Sequence, residues 1–306
     1  MIGSPAVGVD IGGTKTLATL VDDAGTPGRI FVAATAADAG PDAILATAIG
    51  LARHALSEIP ATAIGIGSAG VVDRTTGIVQ SATTALPGWA GTDIRQAFLS
   101  AFPAAVVTVV NDVQAFTLAE TVHGAATGST FVAGVMVGTG IGGGLVTDAR
   151  ILDGAHWAAG HLGHVESAAA AGLACPCGRI GHLESVASGA AMTAAYRRAG
   201  GHADDLQSVA VAARGGDLVA RGILDTGADA LGTAIGSIAN MLDPEVVVVG
   251  GGVAGLGESW LDRVRTATRG ATIPALGELR IVRGALGESA VAIGAARVAR
   301  PLVRTP

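Results

Sequence analysis

Val7-Gly8-Val9-Asp10-Ile11-Gly12-Gly13-Thr14-Lys15 is the stretch on which the reading of the whole chain turns. A short apolar strand ends in an acid and runs into two glycines, a hydroxyl and a cation. Glycines let backbone N–H groups approach an anion closely. Thr14 and Lys15 add donors, and Asp10 can hold a divalent cation, so the set suits a nucleotide phosphate with its metal. The same letters also describe a hairpin with a Gly-Gly turn between two strands. Of the 19 basic side chains only Lys15 is a lysine, and a compact point charge in a glycine turn suits phosphate.

The 306 residues suffice for two domains with real cores. Half are apolar and 14% are charged, the balance of a folded globular protein. Aromatics make up only 3%, so the core must be built from Ala, Gly and Val. The formal net charge of −6, without a basic run or basic–aromatic interleaving, argues against a nucleic-acid partner. No apolar run approaches the roughly 18–20 residues of a membrane span. The N-terminus has neither a basic start nor an apolar signal core, so a cytoplasmic location is expected. A disulfide between Cys175 and Cys177, one residue apart, would be strained; a metal or plain thiols fit better.

Outward from the first strand, residues 6–11, 16–21 and 29–34 read as strands separated by Asp/Gly/Pro turns. Residues 41–59 read as an amphipathic helix, with Ile44, Leu45, Ala48, Leu51, Ala52, Ala55, Leu56 and Ile59 on one face. Strands at 63–66 and 106–110 alternate with helices at 93–102 and 113–123, the pattern of a parallel sheet segment with ligands beyond the strand C-termini. The second part repeats this. A strand at 131–137 leads into Gly138-Thr139-Gly140-Ile141-Gly142-Gly143-Gly144 and a further strand at 145–147. After an irregular Gly/His-rich segment, 153–181, helices are expected at 183–199, 206–213 and 217–242. Then come a strand at 246–249, Gly250-Gly251-Gly252, a helix at 258–268, a strand at 279–282 and a last helix from 288. Two related βββαβα halves emerge, each with a glycine turn between its first two strands. Such turns, facing each other across an interdomain cleft, would clamp one nucleotide. The expected domains are 1–116 and 117–287, with the helix 288–302 packing back on the first.

Asn111-Asp112 ends a buried strand, where polar residues are costly. An acid there can accept the proton of a substrate hydroxyl while Asn orients the substrate; an N-cap for the following helix would also explain it. The Gly250–Gly252 run precedes a helix, but an acidic residue on a strand end about 20 residues further on, which the dinucleotide fingerprint requires, is missing. Residues 161–182 hold both cysteines and three of the seven histidines. His161, His164, Cys175, Cys177 and His182 offer the N/S ligands that zinc prefers, although cytosolic thiols and surface histidines remain the simpler alternative. Glu184 could contact a polar substrate or favour a helix N-terminus.

Taken in order over nearly the whole chain, these residues resemble the ROK family of sugar kinases, within the actin/hexokinase-like (ribonuclease H-like) ATPase fold. Asp10-x-Gly12-Gly13-Thr14-Lys15 is similar to that family's first phosphate loop, and Gly138-Thr139-Gly140-Ile141-Gly142-Gly143-Gly144 to its second. Asn111-Asp112 resembles its substrate Asn and catalytic Asp. Gly163-His164 with Cys175-x-Cys177-Gly178-x-x-Gly181 resembles its zinc segment, and Glu184 its second sugar-binding carboxylate. The family's third cysteine falls at His182, so the resemblance implies a zinc site of His164, Cys175, Cys177 and His182 in the loop 161–184. The family's usual Glu before Ile-Gly-His is His161 here, which is similar to bacterial N-acetylmannosamine kinases. Ala85 stands where relatives often carry Asn.

The resemblance implies an ATP-dependent kinase acting on the 6-hydroxyl of a hexose or N-acylhexosamine. N-acetylmannosamine is favoured and a glucokinase is the alternative. Asp112 would be the base. Asp10, Gly12, Gly13, Thr14, Lys15, Gly138, Thr139, Gly140, Gly250, Gly251 and Gly252 would serve ATP and Mg²⁺. Gly70, Asn111, Asp112, His161, His164 and Glu184 would serve the sugar. Structural Zn²⁺ and a homodimer are expected. A non-catalytic sugar sensor or transcriptional regulator is the contrasting class; intact Asp10, Lys15 and Asp112 count against it.

Overall fold

The computed structural model describes residues 5–57 and 63–300. The expected helix end at 59 and the expected chain-terminal helix end at 302 lie outside them. In chain order the first elements are β1 Ala6–Ile11, β2 Lys15–Val21, β3 Pro27–Ala34, α1 Pro41–Leu56 and β4 Ala63–Ser68. Next come β5 Val71–Val72, β6 Val79–Ser81, α2 Ile94–Ala101, β7 Val106–Asn111 and α3 Asp112–His123. They continue with β8 Phe131–Val137, β9 Ile141–Thr147, β10 Arg150–Ile151, α4 Glu184–Ala187, α5 Gly189–Arg198 and α6 Leu206–Arg214. The last are α7 Leu218–Leu242, β11 Val246–Gly250, α8 Glu258–Ala271, β12 Arg280–Arg283 and α9 Ala290–Ala299.

Two compact units result. One runs to Gly128 and takes in Gly144–Ala159 and the chain from Ala285; the other is Ser129–Gly143 with Gly160–Gly284. The expected boundary at 116 falls inside α3, which belongs whole to the first unit.

The first sheet has the order β3-β2-β1-β4-β7, antiparallel from β3 to β1 and parallel from β1 to β7. Period-two alternation decides its two faces. Val7, Val9, Ile11, Ile64 and Ile66 point to one face, where Ile44, Ala48 and Leu51 of α1 cover them. The other face carries Ala6 and Ala63, which pack with Ile293 and Ala296 of α9. On that face Gly8, Gly65 and Gly67 leave room for the helix itself. A Cβ on Gly8 or Gly65 would collide with the Ala292 or Ala295 carbonyl, and one on Gly67 would lie 2.5 Å from Val291. Gly294 of α9 meets the Ala115 carbonyl of α3 in the same way. The scarcity of aromatics is thus a consequence of backbone-to-backbone packing.

The second sheet repeats the order, β10-β9-β8-β11-β12. β8, β11 and β12 are parallel, and every residue of β11 is buried. α7 and α8 pack closely through Gly232 and Gly236, whose missing side chains admit Thr268 and Ala271.

Three local expectations change. The glycine run 138–144 is half strand, because β9 begins at Ile141. There a Cβ on Gly143 would strike the Gly160 carbonyl, and one on Gly144 would lie 2.7 Å from Thr117 Oγ1. The expected helix 183–199 breaks at Ser188, which is extended and caps α5 by accepting from Ala191 N at 3.1 Å. Neither the short hairpin β5–β6 nor the β9–β10 turn was expected from sequence; that turn places Asp148 and Ala149 at φ 49° and 54° without a glycine to announce it. Among the described residues no helix is long and apolar enough to cross a membrane.

Candidate active site

In the first unit the strand β7 hands over to α3 at Asn111-Asp112. Asn111 is the N-cap: its Oδ1 accepts from Val113 N at 2.9 Å and Gln114 N at 3.1 Å. Its Nδ2 donates to Gly70 O and to Asp112 Oδ1, both at 2.9 Å. Capping therefore falls to Asn111 and not to Asp112, which sits in the first helical turn. Asp112 Oδ1 also accepts from Val113 N at 2.8 Å. Among the described residues Asn111 Nδ2 and Val113 N both donate to the same oxygen of this carboxylate, Oδ1.

Asp10, the penultimate residue of β1, lies opposite Gly67 of β4. Loss of surrounding water raises the Asp112 carboxyl to about 6, against the lowering pull of the Val113 N–H and the Asn111 amide. Asp10 rises further, to about 8, first by desolvation and then by the negative charge of Asp112, with Lys15 opposing. An acid held neutral in this way is ionised readily by a cation set against it. The glycine turn after β1 is pinned from outside: Thr35 N donates to Thr14 O at 2.9 Å and Thr35 Oγ1 to Gly12 O at 2.8 Å. Lys15 is not aimed freely at the turn. Its Nζ pairs with Glu288 at 2.9 Å, both side chains about half exposed.

The second unit carries the matching turn. Gly138 N donates to Gly140 O at 2.9 Å, and Gly189 N, at the start of α5, donates to Gly138 O at 2.8 Å. Buried Glu184 accepts from Ile141 N at 2.7 Å. A Cβ on Gly140 would lie 2.5 Å from Glu184 Oε2, so only glycine lets the carboxylate reach the turn. Beside the turn opens a cavity of about 630 Å³, lined by Gly138, Thr139, Gly189, Thr193, Asp205 and Gly252 among others. Its volume lies within the range of small-molecule sites. Of the expected glycines of β11 and its turn, Gly252 lines this cavity. Gly250 closes the strand. Gly251, at φ 85°, packs against the Val137 carbonyl, 2.5 Å from where a Cβ would be.

His164, Cys175, Cys177 and His182 come together in the same unit, with one ligand atom from each within 4.8 Å of all the others. Cys175 Sγ lies 3.6 Å from His164 Nδ1, and Cys177 Sγ lies 3.3 Å from His182 Nδ1. Zinc bonds of roughly 2.0–2.3 Å in a tetrahedron separate ligand atoms by about 3.3–3.8 Å. The donor set therefore fits zinc in number and chemistry, and these two separations fall in that range. Burial pushes the Cys175 thiol up to about 11, so a thiolate there needs a cation. The rings of His161 and His164 stack with centroids 6.4 Å apart, which brings His161 beside the four-residue group without belonging to it.

Gly70, expected among sugar-contacting residues, serves Asn111 through its carbonyl. Its φ of 97° and a Cβ position 2.6 Å from Ser81 O both demand glycine. Sequence reasoning missed the cavity walls Thr193, Arg197, Asp204, Gln207, Val253 and Leu256. These sit on α5, before or within α6, and after β11, without any motif. Ser188 and Asp205, the N-caps of α5 and α6, mark where two of those walls begin, but neither is read as a cap from the sequence.

The doubled 3-2-1-4-5 strand order, with a glycine turn after the first strand of each sheet, is that of the actin-like ATPase fold. Residues 6–301 match the ROK family. A glucokinase from Thermotoga maritima is 31% identical over 307 residues, covering 95% of this chain and 96% of that protein. An N-acetylmannosamine kinase from Salmonella typhimurium is 32% identical over 262 residues, 84% of this chain and 86% of that one. The crystal structure of a ROK family glucokinase from Streptomyces griseus, in complex with glucose and AMPPNP, matches with a TM-score of 0.86 at 30% identity, covering 97% of this chain and 99% of that one. The chain belongs to the ROK family.

Proposed function

We propose that this ROK sugar kinase transfers the γ-phosphoryl group of ATP to the 6-hydroxyl of a hexose or N-acylhexosamine, with N-acetylmannosamine favoured. The observation that carries the reading is Asp112. It is a desolvated carboxylate in the first turn of α3, oriented by Asn111, with a pKa of about 6 that leaves it ionised yet basic near neutrality. As the sugar oxygen attacks phosphorus, its proton passes to Asp112. The bond from the γ-phosphorus to the bridging oxygen breaks, and ADP leaves with that electron pair. Such a transfer asks the protein mainly for positioning and charge neutralisation.

Asp10 would hold Mg²⁺, which supplies charge neutralisation on the phosphates when bound. Gly12, Gly13, Thr14, Gly138, Thr139 and Gly140 would cradle those phosphates through backbone N–H groups, and Gly252 would border the nucleoside. Lys15 would reach them on exchanging Glu288 for phosphate. The mixed lining of the 630 Å³ cavity, with Val253 and Leu256 beside Arg197, Asp204 and Asp205, supports a nucleoside there. Gly70, Asn111, His161, His164 and Glu184 would form the sugar's surroundings, Gly70 and Asn111 chiefly by orienting Asp112. His164, Cys175, Cys177 and His182 would hold a structural zinc that fixes the loop carrying His161.

His161, an imidazole in place of a carboxylate, supports the N-acyl sugar. The likeness to named glucokinases supports glucose as the second reading. An ADP-coupled panel of N-acetylmannosamine, glucose, mannose, N-acetylglucosamine, allose and fructose separates them. N-acetylmannosamine is expected to give the highest kcat/KM. Glucose as the clear best substrate would sink that preference, and absence of ADP release with every sugar would favour a sensor.

A further inference from the structure

We propose that Trp89 and Ser68 are positioning residues for Asp112: the indole N–H clamps the end of β4, and that strand end holds Asn111 against the base. The inference rests on the kinase reading for its catalytic consequence, though not for its structural one.

The chain of contacts is continuous and buried. Trp89 is fully enclosed, and its Nε1 donates to Ser68 Oγ at 3.0 Å. Ser68, also fully enclosed, is the last residue of β4 and lies between Ile11 of β1 and Asn111 of β7 in sheet register. Its hydroxyl donates onward to Ala69 O at 3.0 Å, while Ala69 N donates to Ile11 O at 3.1 Å. The next residue is Gly70, in the left-handed region, whose carbonyl receives Asn111 Nδ2.

Asn111 has no slack. An amide side chain offers two donors and two acceptor sites, and all four are used, by Gly70 O, Asp112 Oδ1, Val113 N and Gln114 N. Its Nδ2 keeps its grip on Asp112 only while the Gly70 carbonyl stays in place, and that carbonyl is two residues beyond the clamp. A phenylalanine would keep an aromatic ring in this site, though a smaller one; what the indole adds besides its bulk is a donor directed at the strand end.

Trp89 is itself held. Its backbone N–H donates to Leu86 O at 3.2 Å, its carbonyl receives Thr92 N at 3.2 Å, and Gly91 N donates to Val79 O at 2.8 Å. The same loop brings Ala85 to 3.5 Å from where a Cβ on Gly13 would sit. One loop thus borders the glycine turn and, through Ser68, orients the base.

Trp89→Phe, Ser68→Ala and the double variant test this. Displacements of an ångström or less in a catalytic group cost about tenfold to a hundredfold. Each single variant is therefore expected to lower kcat about tenfold with the ATP KM within about twofold. The double variant is expected to be no worse than Ser68→Ala alone, since the indole–hydroxyl bond that Trp89→Phe removes is already lost with the hydroxyl. Unchanged kcat in folded Ser68→Ala, or losses that multiply, overturns the proposal. Should Trp89→Phe fail to fold, Ser68→Ala alone decides.

A readout independent of activity comes from composition, because Asn111 and Asn240 are the only asparagines. With ¹⁵N-asparagine labelling, the Asn111 side-chain amide signals should shift and exchange faster in the variants, while those of Asn240 stay in place. An unmoved Asn111 pair overturns the clamp whatever the enzyme does. A wild-type protein that releases no ADP with any sugar, yet shows the Asn111 shift in its variants, overturns the kinase reading and leaves the clamp standing.

Discussion

The turns Gly12-Gly13-Thr14 and Gly138-Thr139-Gly140 occupy the same place in two copies of one strand order, each between the first two strands of its sheet. Their surroundings differ. The first is flanked by ionisable groups, Asp10 before it and Lys15 after it, and its unit holds the second buried acid, Asp112. The second has no ionisable residue between 138 and 144. It is bordered by Glu184, the start of α5 and the 630 Å³ cavity. Duplication supplied one backbone geometry twice, and the side chains around each copy decided its use. On this account the first unit keeps the acid–base chemistry and the second keeps the binding volume.

The largest expected effect breaks the chemistry alone. Asp112→Asn removes the proton acceptor and should lower kcat by about 10²- to 10⁴-fold in an ADP-release assay, as loss of a general base does. Retained turnover would take Asp112 out of that role. Next, Gly140→Ala drives a Cβ against Glu184 and must displace its carboxylate from Ile141 N. A fall in kcat/KM for the sugar of about tenfold or more is expected. An unchanged value would mean that the carboxylate at the second turn has no part in binding.

A smaller effect concerns the acid pair without metal. Asp10 and Asp112 both titrate above the ordinary 3.8 in the folded chain, at about 8 and about 6, so the folded state keeps protons that the unfolded chain releases. Their contribution is fully present below about pH 4 and is lost as pH rises through these values. The Tm of metal-free protein should therefore fall from about pH 5 to about pH 8 by several degrees. Added Mg²⁺ with ADP should restore more of it at the higher pH. A Tm curve of the same slope in Asp10→Asn would locate the effect elsewhere. The smallest effect is Glu288→Gln. The Lys15–Glu288 pair is half exposed, so stability in urea should change by less than about 1 kcal/mol. Freed from its partner, Lys15 should leave the ATP KM equal or lower.

Much of the fold was legible because it rests on period-two alternation and on glycines placed where backbones meet. Val7, Val9 and Ile11, like Ile64 and Ile66, announce one buried face, and the glycines between them face α9 on the other. The Cys/His group was legible from residue type as five candidates in one short segment, and the family resemblance separated His164, Cys175, Cys177 and His182, which come together, from His161. Other features depend on distant contacts. Whether Asn111 or Asp112 caps α3 cannot be told from two adjacent polar residues; the Gly70 carbonyl, 41 residues away in sequence, decides it. The break at Ser188 carries no proline, and its extended backbone follows from Gly189 docking on Gly138. The cavity walls on α5 and α6 use ordinary helix residues, so only assembly in three dimensions marks Thr193 or Gln207.

Calorimetric titration of Mg²⁺–AMPPNP into Asp112→Asn and into Gly189→Ala tests the division between the two units most directly. A Cβ on Gly189 would lie 2.9 Å from Gly138 O in the cavity wall, whereas Asp112 belongs to the acid pair. Asp112→Asn is expected to bind the nucleotide within about threefold of wild type, and Gly189→Ala at least about tenfold more weakly. The reverse result, with Asp112→Asn losing the nucleotide and Gly189→Ala keeping it, would contradict the account.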